Sequence, residues 1–239
     1  GRTWLQAVLV TSQFVISATL VATTLVVFLQ QVFIADKDIG FMPQQKLVIR
    51  NLEKGFTENS RNLLADTIAA LPGVLGTTFS AATPGDLVGA AFYRQMVVAG
   101  NAEQPLQLYP KPVGADFFKV YGTALLAGRE FSNARDLDRF LWSSVSADPG
   151  SSRVQASAIV NEAAMVAAGF AGVDEALGSV IRMANVEFEI IGVAPDTNFQ
   201  SLRNAVTPNM YIFNPENFIN MTVSYRDAVT EQNLVDEIT

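Results

Sequence analysis

Three carboxylates, Glu130, Asp136 and Asp138, lie close together in this chain, and clustered oxygen ligands of this kind suit a hard cation. Their spacing does not follow the D-x-[DN]-x-[DN]-G order of a calcium loop, so no metal site is read there. Asp196, with Asn198 two residues on, is the next candidate. Asp and Asn commonly hydrogen-bond nearby backbone, so the pair reads as a turn stabiliser rather than a general base. The sequence has no His and no Cys, which removes the usual proton-transfer group near neutral pH, thiol nucleophiles, disulfides and Cys/His zinc sites. Lys37, Lys46, Lys54, Lys111 and Lys119 are the lysines, and none stands in an S-x-x-K frame. There is no G-x-S-x-G elbow, and the dipeptide Gly-Lys of a phosphate-cradling loop does not occur. The expectation is a protein that is not an enzyme, with no catalytic, cofactor-binding or metal-binding residue.

The elements that could position such residues divide the chain into two parts. Of 239 residues, 49% are hydrophobic and 16% charged, with a net charge of −7. The apolar excess is uneven, because Thr3 to Ala35 contains no Asp, Glu, Lys or Arg. About 20 mainly apolar residues cross a bilayer, and Phe14 to Ile34 meets that length. A cleaved signal peptide has a shorter apolar core and a small-x-small site, whereas Phe33-Ile34-Ala35 offers Phe. A buried soluble helix is usually amphipathic, but the polar residues here are only Thr, Ser and Gln, which a membrane helix accommodates on its own backbone. Arg2 precedes the helix, and the positive-inside rule puts that end in the cytoplasm. The start at Gly1 and the stop at Thr239 in a helix-like run lead to the expectation of an excerpt from a longer chain.

Beyond Asp36 the sequence reads as a charged globular domain. Strands are predicted at 46–52, 74–81, 92–98 and 106–113, and helices at 57–71 and 115–121. Pro72-Gly73 stops the first of these helices, Pro84-Gly85 opens a loop, and Gly100-Asn101 marks a turn. Residues 132–157 are polar and irregular, loosest at Asp148 to Ser152. A strand at 158–160 leads to Asn161 as N-cap of a helix that Gly169 ends. A hairpin at 180–183 and 186–193, strands at 210–213 and 219–225, and a helix from Thr230 complete the pattern. The acidic balance and the lack of a basic stripe exclude nucleic acid as a partner.

Taken in order, these pieces resemble the MacB-like periplasmic core domain of MacB/FtsX-family ABC transporter permeases. The resemblance rests on Gln30-Gln31, Asp38-Ile39-Gly40-Phe41, Leu71-Pro72-Gly73-Val74, Asp116-Phe117-Phe118, Leu126 through Ser132, Val160-Asn161-Glu162, Ala176-Leu177-Gly178, Ile190 through Val193, Asp196 and Ser201-Leu202-Arg203. Each stretch also has a plain reading as a backbone device: Gly128 allows a bend that Arg129 fixes by bonding carbonyls or a carboxylate. Pro195 departs from the family pattern. So does the insert from Asn133 to Gln155, whose Phe140, Leu141 and Trp142 form a candidate partner-contact loop unless they pack back onto the body.

The resemblance implies an α+β chain, with an N-terminal transmembrane helix and stalk at 1–38 and a two-lobed mixed α/β extracytoplasmic domain at 39–239. The inserted lobe is expected at about 116–203. It implies a permease part that couples cytoplasmic ATP hydrolysis to export or to mechanical signalling, with ATP held by a separate ATPase subunit and no cofactor in this chain. Expected partners are that ATPase, the remaining permease helices or a second permease copy, and membrane lipid. A periplasmic adaptor protein is left open as a further partner. The location implied is the bacterial inner membrane, with the globular part periplasmic. The alternative reading is a membrane-anchored extracytoplasmic sensor domain.

Overall fold

The computed structural model describes residues 2–36, 45–52, 57–83, 94–98, 101–146, 152–197 and 206–238. The chain divides into two units, Gly1–Asp38 and Ile39–Thr239. The first is a single helix, α1 (Arg2–Asp36), of 35 residues, about 50 Å long at 1.5 Å per residue. Its stretch Thr3–Val32 is long and apolar enough to cross a membrane. Large apolar side chains stand exposed along it, Phe14, Leu20 and Phe28 among them. The hydroxyls of Ser12, Thr19, Thr23 and Thr24 each donate to a carbonyl three or four residues back at 2.8 Å. A bilayer core supplies no water, so polar groups must be satisfied within the helix, and these are.

The second unit is built on two sheets. β1 (Lys46–Ile49), α2 (Glu58–Ala69) and β2 (Val74–Ser80) form a strand-helix-strand unit. β10 (Asn220–Tyr225) lies between the two strands, antiparallel to both, as in a split βαβ arrangement. Thr57 caps α2 by accepting from the Ser60 N–H at 3.2 Å, which satisfies one orphan donor of the first turn. Alternation along β10 sends Met221, Val223 and Tyr225 into a cluster with Ile68, Phe79 and Leu234, the last from α6 (Ala228–Ile238). Thr222, on the opposite face, meets the Tyr121 hydroxyl at 3.0 Å, so α3 (Phe117–Tyr121) covers that side.

The other sheet runs β5 (Ala127–Gly128), β8 (Val186–Ala194), β6 (Val154–Asn161), β9 (Asn209–Ile212), β4 (Asn101–Pro112), β3 (Arg94–Val98) and β7 (Val180–Met183). Because β7 pairs with β8 as well as with β3, the sheet closes on itself and its ring strands leave no open edge. Every second residue points inward: Ala156, Ala158 and Val160 of β6, Val186, Phe188 and Ile190 of β8, Met210 and Ile212 of β9, and Leu106 and Leu108 of β4 share one core. Ala164 of α4 (Glu162–Ala167) and Ala176 of α5 (Val173–Ala176) belong to it too. The outward residues Ile159, Ile191 and Tyr211 join the core of the small sheet. β6 is therefore buried on both faces, which is why 156–161 lacks the alternation of a half-exposed strand and reads as a short apolar run.

The two sheets meet where Ser80 bridges Val113 and the Gly114 N–H donates to the Phe79 carbonyl at 2.8 Å. The ring sheet is not confined to residues 116–203: β3, β4 and β9 lie outside that range and complete it, with β4 as the parallel partner of β9. The ring sheet is drawn from residues between Arg94 and Ile212, and Ile39–Thr239 is one compact unit. The expected stalk end at 37–38, Pro84-Gly85, Gly100, Asp148 to Ser151, Asn198 and Ser201-Leu202-Arg203 lie outside the described residues.

Candidate functional site

The three clustered carboxylates do not converge. Asp138, in a 3-10 turn at Asp136–Asp138, has a side chain with 0% exposure and meets the Arg129 guanidinium through two bonds of 2.6 and 2.9 Å. The Ser132 N–H donates to it at 2.9 Å and the Ser157 hydroxyl at 2.7 Å. Burial alone would raise its pKa. The bonds from Arg129, Ser157 and Ser132 and the Arg129 charge outweigh burial and hold it below the usual carboxylate range. Glu130 is instead influenced by Asp116 and Lys119; burial first, then the Asp116 charge, raises its pKa. Among the described residues no group of three or more carboxylates is placed to hold a metal ion. Asp138 is thus a clip. It pins the 129–139 segment to β6 through Ser157, and Gly128 sets the approach with φ +82.

Asp196 belongs to a second node. The Asn161 amide donates to it at 2.7 Å and the Ala163 N–H at 3.0 Å. Asn161, fully buried, caps α4 by accepting from the Ala164 N–H at 3.0 Å, and it also accepts the Asn209 N–H at 2.8 Å. Burial, with the neighbouring Glu162 charge, raises the Asp196 pKa despite those bonds. The node ties β6, α4 and β9 together.

The aromatic residues of the insert pack against the ring sheet. Phe140 is 1% exposed, and its ring lies 5.2 Å from Phe188 and 4.7 Å from Trp142. Phe140 packs back into the ring core, because 139–140 runs beside Phe213. Leu141 and Trp142 remain half-buried, with Trp142 against the same core.

A groove that the sequence motifs do not mark lies between α2 and β2. It has a volume of about 490 Å³ and is lined from α2 by Glu58, Arg61, Asn62, Ala65, Asp66 and Ala69. Their helical spacing is the signal that could have found it, since these positions share one face of α2. Glu58 pairs with Arg139 across the groove.

With this geometry in view, comparison with known proteins is direct. The model of the family described as MacB-like periplasmic core domain matches residues 10–239. The chain belongs to that family. The match carries the coarser functional statement too: this is the periplasmic domain of a MacB-like ABC transporter permease, with an N-terminal transmembrane helix. The periplasmic region of MacB from Actinobacillus actinomycetemcomitans is 18% identical, with a TM-score of 0.50 over 83% of this chain and 84% of that one. It supports the fold alone. The extracellular domain of the noncanonic ABC-type transporter YknZ from Gram-positive bacteria gives 14% identity and a TM-score of 0.47, over 79% of this chain and 87% of that one. No curated protein matches the chain. Family membership implies a cytoplasmic ATPase and further permease helices as partners of the MacB-like domain.

Proposed function

We propose that this chain couples ATP hydrolysis by a separate cytoplasmic ATPase subunit to export, or to mechanical signalling, across the bacterial inner membrane. It holds no cofactor and catalyses nothing itself. A periplasmic adaptor and membrane lipid complete its set of partners. The observation that carries this reading is α1: one uninterrupted helix, uncharged from Thr3 to Ala35, in which the hydroxyls of Ser12, Thr19, Thr23 and Thr24 bond its own backbone. A helix of that kind converts a shift among membrane helices into motion of the domain joined to it, provided the join is stiff. The candidate chemistry of the domain supports the same reading, because Asp138 pairs with Arg129 and Asp196 with Asn161 and backbone. Family membership favours this reading over the sensor alternative.

The test uses the complete permease with its ATPase in nanodiscs. A spin label on Ser152→Cys reports the distance between the two periplasmic domains with and without ATP and vanadate. A flexible Gly-Ser insertion after Asp36 is expected to abolish the nucleotide-dependent change while ATP hydrolysis persists. An unchanged distance response with the insertion present would contradict mechanical coupling through α1.

A further inference from the structure

A cavity of about 750 Å³ lies on the ring sheet between β5, the 3-10 turn at Asp136–Asp138, β6 and β8. That size falls among small-ligand pockets, roughly 300–1,000 Å³. Arg129 stands in its wall with a guanidinium that is only partly used. Its Nη1 donates to the Glu130 carbonyl at 3.1 Å and to Asp138 at 2.6 Å, and its Nη2 donates to Asp138 at 2.9 Å. A guanidinium carries five N–H donors in a planar fork, so the Nε–H and the second N–H of Nη2 remain. Those two lie parallel along one side of the group, the arrangement that takes a carboxylate through two bonds. Neither has a partner among the described residues. Asp138, with no exposed side-chain surface, holds the other edge, while 36% of the Arg129 side chain is exposed. The fork is therefore fixed in place before a ligand arrives.

The rest of the wall supplies an opposite charge and an apolar surface. Glu189 is exposed and near enough for its charge to act on Arg129, and its carboxylate has no ion pair or hydrogen bond among the described residues. Arg129 and Asp138 cancel, as do Arg135 and Asp136, so Glu189 is the surplus acid of the cavity. Leu137, 61% exposed, and the half-buried Leu177 are its apolar side. A ligand with only a negative charge would meet Glu189. One with only a positive charge would leave the Arg129 edge empty. A ligand that carries both charges on an apolar body satisfies the fork, the acid and the leucines together.

We propose that this cavity binds an apolar zwitterion of the amino-acid type, a free amino acid or a short peptide, with its carboxylate on the side edge of Arg129, its ammonium group at Glu189 and its apolar part against Leu137 and Leu177. This goes beyond the coupling role and does not depend on it.

The full chain in nanodiscs, with empty nanodiscs as control, is titrated calorimetrically with leucine and with leucyl-leucine. Saturable binding of either is expected, and the tighter of the two tells a free amino acid from a short peptide as the source. Acetylating the amine or amidating the carboxylate of that ligand should each weaken binding at least about tenfold, the scale of charge-assisted bonds lost at one end. Glu189→Gln should abolish the preference for the free amine while the preference for the free carboxylate stays. Arg129→Lys keeps a cation beside Asp138 but lacks the fork, so it should abolish the preference for the free carboxylate. The Glu189 variant alters an exposed side chain and keeps the test standing if the Arg129 variant does not fold. No saturable binding of either ligand at about 10 mM, blocked forms bound as tightly as the free one, serine and seryl-serine bound as tightly as their leucine counterparts, or an unchanged amine preference in Glu189→Gln would each overturn the proposal.

Discussion

Replacing Arg129 with Ala strands a charge. Asp138 has no exposed side-chain surface and keeps only Ser132 and Ser157 as donors once the guanidinium is gone. Breaking a buried ion pair from one side costs about 3–5 kcal/mol. The guanidinium is 36% exposed, so solvent already screens part of the pair and the expected loss at pH 7 is about 2–3 kcal/mol. The pH dependence follows from the depressed Asp138 pKa. A carboxylate whose folded pKa lies below its unfolded value contributes stability that is complete above the unfolded value, about 3.9, and is lost as pH falls through the folded one. The difference between Arg129→Ala and the unaltered chain should therefore be full at pH 7 and shrink below about pH 4. The assay is guanidinium unfolding of the detergent-solubilised chain followed by Trp142 fluorescence, with Trp4→Phe to remove the other indole. A cycle with Asp138→Asn should return a coupling of at least about 1.5 kcal/mol. Additive single variants, or a loss that stays the same down to pH 3, would refute the argument that these two side chains form one unit.

Three further outcomes rest on the same geometry. Gly128→Ala is expected to lose at least about 2 kcal/mol, because αL backbone costs a non-glycine residue about 1–2 kcal/mol and the added Cβ would stand 2.2 Å from the Ile191 carbonyl oxygen; a melting temperature within a degree of the parent would contradict this. Asn161→Ala should cost about 2–4 kcal/mol, a lost cap plus buried groups left unpaired, measured by the same unfolding assay, and fast exchange of the Asn209 amide should accompany it. Ala184→Gly should stabilise the chain by about 1 kcal/mol, since Ala184 sits at φ 49 in the two-residue turn between β7 and β8, where Gly is preferred; a drop in stability would show that the turn is not strained.

Local signals are legible in the sequence wherever one element decides its own ends. Thr57, Asn161 and Gly169 delimit helices through caps and a positive φ that need no tertiary partner, and the apolar run of α1 states its solvent outright. Features set by pairing at long range are not legible in this way. β6 reads as three residues, 158–160, but spans Val154–Asn161, because its first residues are fixed by the parallel register with β8 rather than by their own types. Closure of the ring depends on β7 meeting β3 as well as β8, which no local pattern encodes. For the candidate site, the sequence has Arg129 bonding a carbonyl or a carboxylate, and it does both, through Glu130 and Asp138. Asp138 itself reads as one of three clustered acids, since nothing in its spacing shows that the segment folds back onto Ser157. The α2 groove escapes a reading that tracks apolar positions along that helix, because its lining is the polar face at 58, 61, 62, 65, 66 and 69.

The central claim is that α1 lies in lipid with the folded unit on the outer side of the membrane. Because the chain has no cysteine, single thiols placed at Ala22→Cys in α1 and at exposed Ser152→Cys report on it cleanly in intact spheroplasts treated with a membrane-impermeant maleimide. The account predicts rapid labelling at position 152 and none at position 22 until the membrane is dissolved and the protein unfolded. Labelling at position 22 in intact cells, or at position 152 only after lysis, would contradict it.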